Sequence, residues 1–484
     1  MTKKSELPAL IAALLITLAV LGAGGWWIFK NIIGETSIAD LPGTGIPGSS
    51  AGKAGPDSSS GGNRPPTVGG TSGKPVLPGP VSPTKQAGLT ALADGDYATA
   101  ETEFTAALAE KKNDPESLIY LNNAKIAEAE AHTVAVAIPA NKEFLGPALE
   151  IMRGVAQAQS EINAAGGING VPLKVLMAGD TGTAANSFET ASDLVANEDV
   201  LGVVGHYSSD MTLAAAEAYE SGKLSVISPT STAEKISEAG EYVFRTVPSD
   251  RLAAAALARY VLNTLKKTKA AVFYTADSAY SRSVQSEFTT ELLSNGGEVV
   301  ADFNVTEAGF SAGQALQAAR AAGAEVIMLA LTESTDTASL QVLAVNRGDL
   351  PVVGGDSLYD FDILDVGRED AVGLTVSVPW HILSHQQSPF VRSSQALWGA
   401  AVNWRTVTAY DATVTLAAAI AQGGPTRQGI AETLATPGFT VDGATNTVKF
   451  FPSGDRNQPS QLVTVIKKEG KGISGTGYDY EPTK

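Results

Sequence analysis

Residues 202–232, GVVGHYSSDMTLAAAEAYESGKLSVISPTST, decide how this chain is read. An apolar run ends in Gly205, the polar loop HYSSDM opens an alanine-rich helix, and a second short strand, LSVIS, ends in Pro229-Thr230-Ser231-Thr232. That is a strand–helix–strand unit with hydroxyl groups at the carboxyl ends of both strands. Open α/β sheets bind ligands at that edge, and the first amides of the following helix form an anion site. The stretch therefore predicts a seat for the carboxylate of a small molecule.

From His132 onward the same alternation continues. TVAVAI, LKVLMA, VLGVVG, KLSVIS, AAVFYT, GEVVADF, EVIMLAL and LPVVGG are short, β-branched and continuous, as strands buried on both faces should be. Between them lie helical stretches such as GPALEIMRGVAQAQSEINAA, with Leu149, Met152, Val155 and Ile162 on one face. Such alternation implies parallel sheets with right-handed crossovers. Residues 132–484 hold more strands than one sheet accommodates, so the expected architecture is α/β, two doubly wound lobes with a cleft between them.

Ahead of the lobes the chain changes character three times. Lys3 and Lys4 precede the apolar run Leu7–Phe29, long enough for the roughly twenty residues a membrane-spanning helix needs. Trp26 and Trp27 suit the far interface, and the lysines favour a cytoplasmic N-terminus. Residues 1–33 thus read as a membrane anchor; a cleaved signal peptide is the competing reading, disfavoured because Ala23-Gly24-Gly25 is a poor cleavage site. Residues 34–85, rich in Gly, Pro and Ser, read as a disordered linker with a reach of about 40 Å. Residues 86–131 return to helical spacing at Leu89, Leu92, Tyr97, Phe104 and Leu108, with a turn at Gly95-Asp96 and a new helix after Asp114-Pro115.

Composition narrows the function. A net charge of −17 without a basic stripe argues against nucleic acid. With no cysteine there is no disulfide frame, thiolate metal site or cysteine nucleophile. No Gly-x-Ser-x-Gly follows a strand, and Lys53 and Lys74 stand after glycines without the rest of a phosphate loop. His381 and His385 have the i, i+4 spacing of a metal pair but no acidic third ligand nearby. The chain is expected to be a binding protein, not an enzyme, with neither cofactor nor metal.

Two resemblances sharpen this. GDYATAETEFTAAL resembles one tetratricopeptide repeat, with Gly95, Tyr97, Ala100, Phe104 and Ala107 at its packing positions; a spacer packed on the main domain and a partner-binding repeat both remain open. Residues 133–484 resemble the periplasmic ligand-binding proteins of the leucine/isoleucine/valine type. The matches run in order through FLGPALEIMRGVAQAQSEINAAGGINGVPLKVLMAGD, GVVGHYSS, SPTSTA, YTADSAYSRSVQSEF, GGDSLYD, TAYDATVTLAAAI and GATNTVKFFPSGDR. The resemblance implies a type I periplasmic binding protein: two lobes joined by a three-stranded hinge that close on an amino acid for an ABC permease. A membrane-tethered sensor using the same fold is the alternative. Either way the binding domain would lie on the extracytoplasmic side of the cytoplasmic membrane.

By motif position Ser209 matches the family's carboxylate-binding serine, beside Ser208. The Thr230 position supplies a carbonyl to the ligand ammonium, and Thr232, next to Ser231, supplies hydroxyl and amide. Tyr280 supplies an aromatic ring over the ligand, which suits an ammonium, and Asp356 an acid for the same group. Read without the resemblance, Ser208-Ser209 is an ordinary helix cap, and PTST and GGD are turns. Thr332-Glu333-Ser334 departs from the leucine-type pattern. An acid at the side-chain end of the pocket disfavours an aliphatic ligand and favours a polar, amide or basic one. Glu143, Phe144 and Tyr207 are candidates to line the same end, with His206 either pocket wall or packing.

Overall fold

The computed structural model describes residues 68–69 and 74–483. The expected anchor at 1–33 and most of the expected linker lie outside the described residues. Among the described residues no helix is long and apolar enough to cross a membrane.

Three capped helices come first. Ser82 accepts from the Lys85 amide ahead of α1 (Pro83–Ala93), Asp96 from Thr99 ahead of α2 (Tyr97–Glu110), and Asp114 from Ser117 ahead of α3 (Pro115–Ile126). Their core is Phe104 stacked on Tyr120, ring centroids 5.3 Å apart, both fully buried. The third helix is buried along most of its length and is tied to the α/β part of the chain by its polar side chains. Asn123 pairs with both polar groups of Val175, donating to its carbonyl at 2.8 Å and accepting from its amide at 3.2 Å. Asn122 donates to Ser160 at 2.8 Å. The helical segment is thus a docked part of the first lobe.

Packing also begins earlier than composition indicated. The expected linker runs to residue 85, yet Leu77 is buried and the Val76 amide donates to Glu116 at 2.5 Å. Lys85 bridges Asp114 and Glu116 at 2.9 and 2.8 Å. A buried Glu116 needs partners, and residues 76–85 provide them.

The first lobe carries β1 (Val68–Gly69), β2 (His132–Pro139), β3 (Leu173–Asp180), β4 (Val200–Val204), β5 (Val226–Ser228) and β6 (Val243–Arg245), in the sheet order β1-β3-β2-β4-β5-β6. Strands β2 to β6 pair in parallel, and β1 runs antiparallel along β3. Its crossover helices are α4 (Leu145–Ala164), α5 (Ala184–Ala196) and α6 (Ser209–Gly222).

The second lobe is wound by α7 (Asp250–Arg259), β7 (Lys269–Tyr274), α8 (Ala279–Ser294), β8 (Glu298–Asn304), α9 (Ala312–Ala321), β9 (Val326–Ala330), α10 (Asp336–Asn346), β10 (Val352–Gly354) and β11 (Thr375–Val378). The chain then returns to the first lobe, where it forms α11 (Pro389–Trp398), α12 (Trp404–Gly423) and α13 (Arg427–Ala435). Helix α12 lies along α4 so closely that a Cβ on Gly154 would meet the Thr406 carbonyl at 2.2 Å. The hairpin β12 (Thr440–Asp442) and β13 (Thr447–Lys449) leads back to β14 (Gln461–Lys467) and β15 (Tyr478–Pro482).

The second sheet, ordered β15-β14-β11-β10-β9-β7-β8, corrects the expectation of purely parallel sheets. Strands β14 and β15 pair antiparallel at one edge. They are joined by a short connection, which antiparallel neighbours permit and parallel ones do not. Strand β8 is a half-exposed edge, not a strand buried on both faces.

The chain crosses between lobes three times, near residues 246–249, 379–388 and 450–460. Two ion pairs anchor the third crossing to the first lobe. Arg245 meets Asp455 at 2.6 Å, and Arg456 meets Asp411 at 2.6 Å. Removing one partner of such a pair strands a buried charge, so these contacts hold that crossing in place.

Candidate functional site

The loop after β4 requires Gly205, whose φ of 149° suits glycine and whose Cβ would meet the Ala137 carbonyl at 2.6 Å. His206, next in sequence, turns inward. It is fully buried, with Nδ1 3.3 Å from Asp180 and Nε2 2.8 Å from the Tyr219 hydroxyl, so it is packing and not pocket wall. Tyr207 turns outward into a cavity of about 240 Å³ between the lobes.

One jaw of that cavity is the N-terminus of α6. Ser208 caps the helix, its Oγ accepting from the Met211 amide at 3.2 Å. Ser209 Oγ accepts from the Ala233 amide at 3.2 Å, which leaves its O–H proton to donate elsewhere. Thr230 donates to the Tyr207 carbonyl at 2.5 Å, holding the two loops together. Ser208, Ser209 and Thr230 all line the cavity. Ser231 and Thr232 do not. Ser231 is spent on Thr212, at 2.7 Å, and its side chain is fully buried. Thr232 is buried, with its carbonyl accepting from the Asp250 amide at 2.8 Å.

The other jaw is the second lobe. Tyr280, in the first turn of α8, donates to Asp356 Oδ1 at 2.7 Å and accepts from the Ser357 amide at 3.3 Å. Gly355 makes room for that pair, since its Cβ would meet the Tyr280 hydroxyl at 2.2 Å. Burial raises the Asp356 carboxyl above the usual carboxylate range, opposed by the Tyr280 hydrogen bond and Arg405. Behind it stands a second buried acid, Asp250, pushed up to about 8 by burial and by the charge of Asp356.

The far end of the cavity holds charges from both lobes. Glu333, in the turn after β9, pairs with Arg405 in the first turn of α12, and the Tyr207 hydroxyl donates to the other carboxylate oxygen. These side chains are 8% and 4% exposed respectively. Arg405 also donates to the Tyr359 carbonyl at 3.3 Å, and its guanidinium lies 4.5 Å over the Trp404 ring. Burial raises Glu333 against the opposing pull of Arg405; burial also works against the guanidinium's charge, but Glu333, Tyr207, Asp360 and Asp356 together outweigh it and keep Arg405 charged. Phe144 completes this end, with its ring 5.4 Å from that of Tyr207, whereas Glu143 is exposed and off the cavity.

The jaws also meet directly. Asp210, in the first turn of α6, accepts from the Ala279 amide at 2.9 Å and from Ser278 Oγ at 3.2 Å, at the N-terminus of α8. The Glu234 amide donates to Ser283 at 3.0 Å.

A family model described as "Periplasmic binding protein" matches residues 146–472. The chain belongs to the periplasmic binding protein family. An amino acid binding protein of Pseudomonas aeruginosa is 32% identical over 176 residues, covering 36% of this chain and 47% of that protein. This periplasmic binding protein therefore matches that relative over about half the relative's length. A Leu/Ile/Val-binding protein homolog of Brucella melitensis is 24% identical over 341 residues, covering 68% of this chain and 89% of the other. In fold it is similar to an ABC transporter substrate-binding protein of Desulfitobacterium hafniense in complex with Leu. That likeness has a TM-score of 0.61 at 23% identity, covering 73% of this chain and all of that one.

Of the residues singled out in the sequence of this periplasmic binding protein, the cavity gathers Phe144, Tyr207, Ser208, Ser209, Thr230, Tyr280, Thr332, Glu333, Ser334 and Asp356, and leaves out Glu143, His206, Ser231 and Thr232. Sequence reasoning missed Trp404, Arg405 and Asp210. Arg405 follows Asn403, whose side chain accepts from the Arg405 amide at 2.9 Å as a helix cap. That cap was legible, but its meeting with Glu333, 72 residues away in sequence, was not.

Proposed function

We propose that this chain is the extracytoplasmic substrate-binding component of an ABC transporter and that it holds an amino acid between its lobes. One observation carries the reading. A hydroxyl-lined helix N-terminus, with Ser208, Ser209 and Thr230, faces a buried acid, Asp356, across a cavity of about 240 Å³. The helix end suits an α-carboxylate, and Asp356, held by the Tyr280 hydroxyl, suits an α-ammonium. Drug-sized pockets run to about 300–1,000 Å³, so this one is scaled to a single amino acid.

A zwitterion touching both jaws binds the closed form better than the open one, which is what draws the lobes together. Delivery to permease subunits and tethering of the lobes through residues 1–33 belong to the same proposal, with a shorter tether than composition indicated because packing begins by residue 76. Thermal-shift measurements on the full chain with the twenty amino acids and small amides test it. At least one is expected to raise Tm in a dose-dependent way, and a flat response to all of them refutes the reading.

A further inference from the structure

The far end of the cavity contains a charge pair that a leucine-type pocket has no use for. Glu333 comes from the second lobe and Arg405 from the first, both nearly buried and both lining the cavity. Glu333 is held on its other oxygen by the Tyr207 hydroxyl, and Arg405 by the Tyr359 carbonyl and the Trp404 ring. The guanidinium keeps spare capacity, because its Nε has no hydrogen-bond partner.

The ligand groups able to reach this pair can be ranked by chemistry. An alkyl side chain packed against it would remove water from two charges and return no hydrogen bond. A side-chain ammonium would face Arg405 and a side-chain carboxylate would face Glu333, each a like-charge contact in a water-poor site. A carboxamide carries no net charge, offers a carbonyl oxygen as acceptor and an NH2 group with two donors. Those are the complements of a guanidinium and a carboxylate standing side by side.

We propose that the cavity selects an amino acid with a side-chain carboxamide, Arg405 donating to its oxygen and Glu333 accepting from its nitrogen. The proposal rests on the reading that the ligand is an amino acid held by Ser209 and Asp356 at its other end. It makes Glu333 the residue that excludes acids and Arg405 the residue that excludes bases.

Isothermal titration of the full chain with L-glutamine, L-asparagine, L-glutamate, L-aspartate, L-lysine and L-leucine tests it. One of the amides is expected to bind tightest, by about tenfold or more over its matching acid. Glu333→Gln removes the repelling charge and releases Arg405, so the amide-to-acid ratio should fall by about tenfold or more. Leucine binding more tightly than both amides overturns the inference while leaving the amino-acid reading intact. An unchanged amide-to-acid ratio in folded Glu333→Gln overturns it as well. Should that variant not fold, the wild-type ranking alone decides. No heat with any of the six, in a preparation that also shows no thermal shift with any amino acid, refutes both readings.

Discussion

Replacing Asp356 by Asn tests the proposed ammonium end of the site most directly. The substitution keeps shape and volume but removes the carboxylate that lines the cavity and accepts from the Tyr280 hydroxyl at 2.7 Å. A hydrogen bond to a charged group is worth about 1.5–3 kcal/mol. At about 1.4 kcal/mol per tenfold change, the variant should bind its amino acid about ten- to 150-fold more weakly. The loss should depend on pH in a stated direction. Asp250 is pushed up to about 8 partly by the charge of Asp356. Without that charge Asp250 ionises at lower pH and becomes able to attract the ammonium in its neighbour's place. The deficit should therefore be larger near pH 6 than near pH 8. Isothermal titration at both values measures it, with Tm confirming that the variant folds. Undiminished affinity at both values in a folded variant would mean that the ammonium sits elsewhere.

Two further outcomes rest on the same structure. Burial and the charge of Asp356 push Asp250 from its ordinary 3.8 up to about 8 in the folded chain, so between those values the native state holds the extra proton. Its contribution to stability is present at low pH and is lost as pH rises, by up to about 1.4 kcal/mol per unit; urea titrations from pH 5 to 8 should show Asp250→Asn with a shallower decline than the parent. Phe104→Ala, in the helical segment, empties a fully buried site stacked on Tyr120 and should cost about 3–5 kcal/mol in the same assay. A separate early transition that takes up the whole loss would mean that the segment unfolds apart from the first lobe.

The sequence by itself determined the winding of both lobes and the jaw that opens on α6. All eight strands read from their β-branched runs are present, and except for the edge strand β8 this is because a strand buried on both faces must be apolar along its length. A strand that alternates escaped, since β14 is fully buried only at Val463 and Val465, and so did the three-residue β6, which ends on the charged Arg245. Caps were equally local, so Asp114 and Ser208 needed no tertiary knowledge, while Asp96, read as a turn, also caps a helix. Which of the neighbouring hydroxyls face the cavity was a different matter. Thr230 and Ser231 are adjacent, yet one lines the cavity and the other bonds Thr212 in the core. Such a choice is made by the loop's path over the sheet. The least legible feature was the pairing of Glu333 with Arg405. Each charge is ordinary in its own segment, and its meaning comes only from a partner on the opposite lobe. Local patterning reports propensity and burial, which a short window carries. Electrostatic complementarity between distant segments is decided only where the folded chain brings them together.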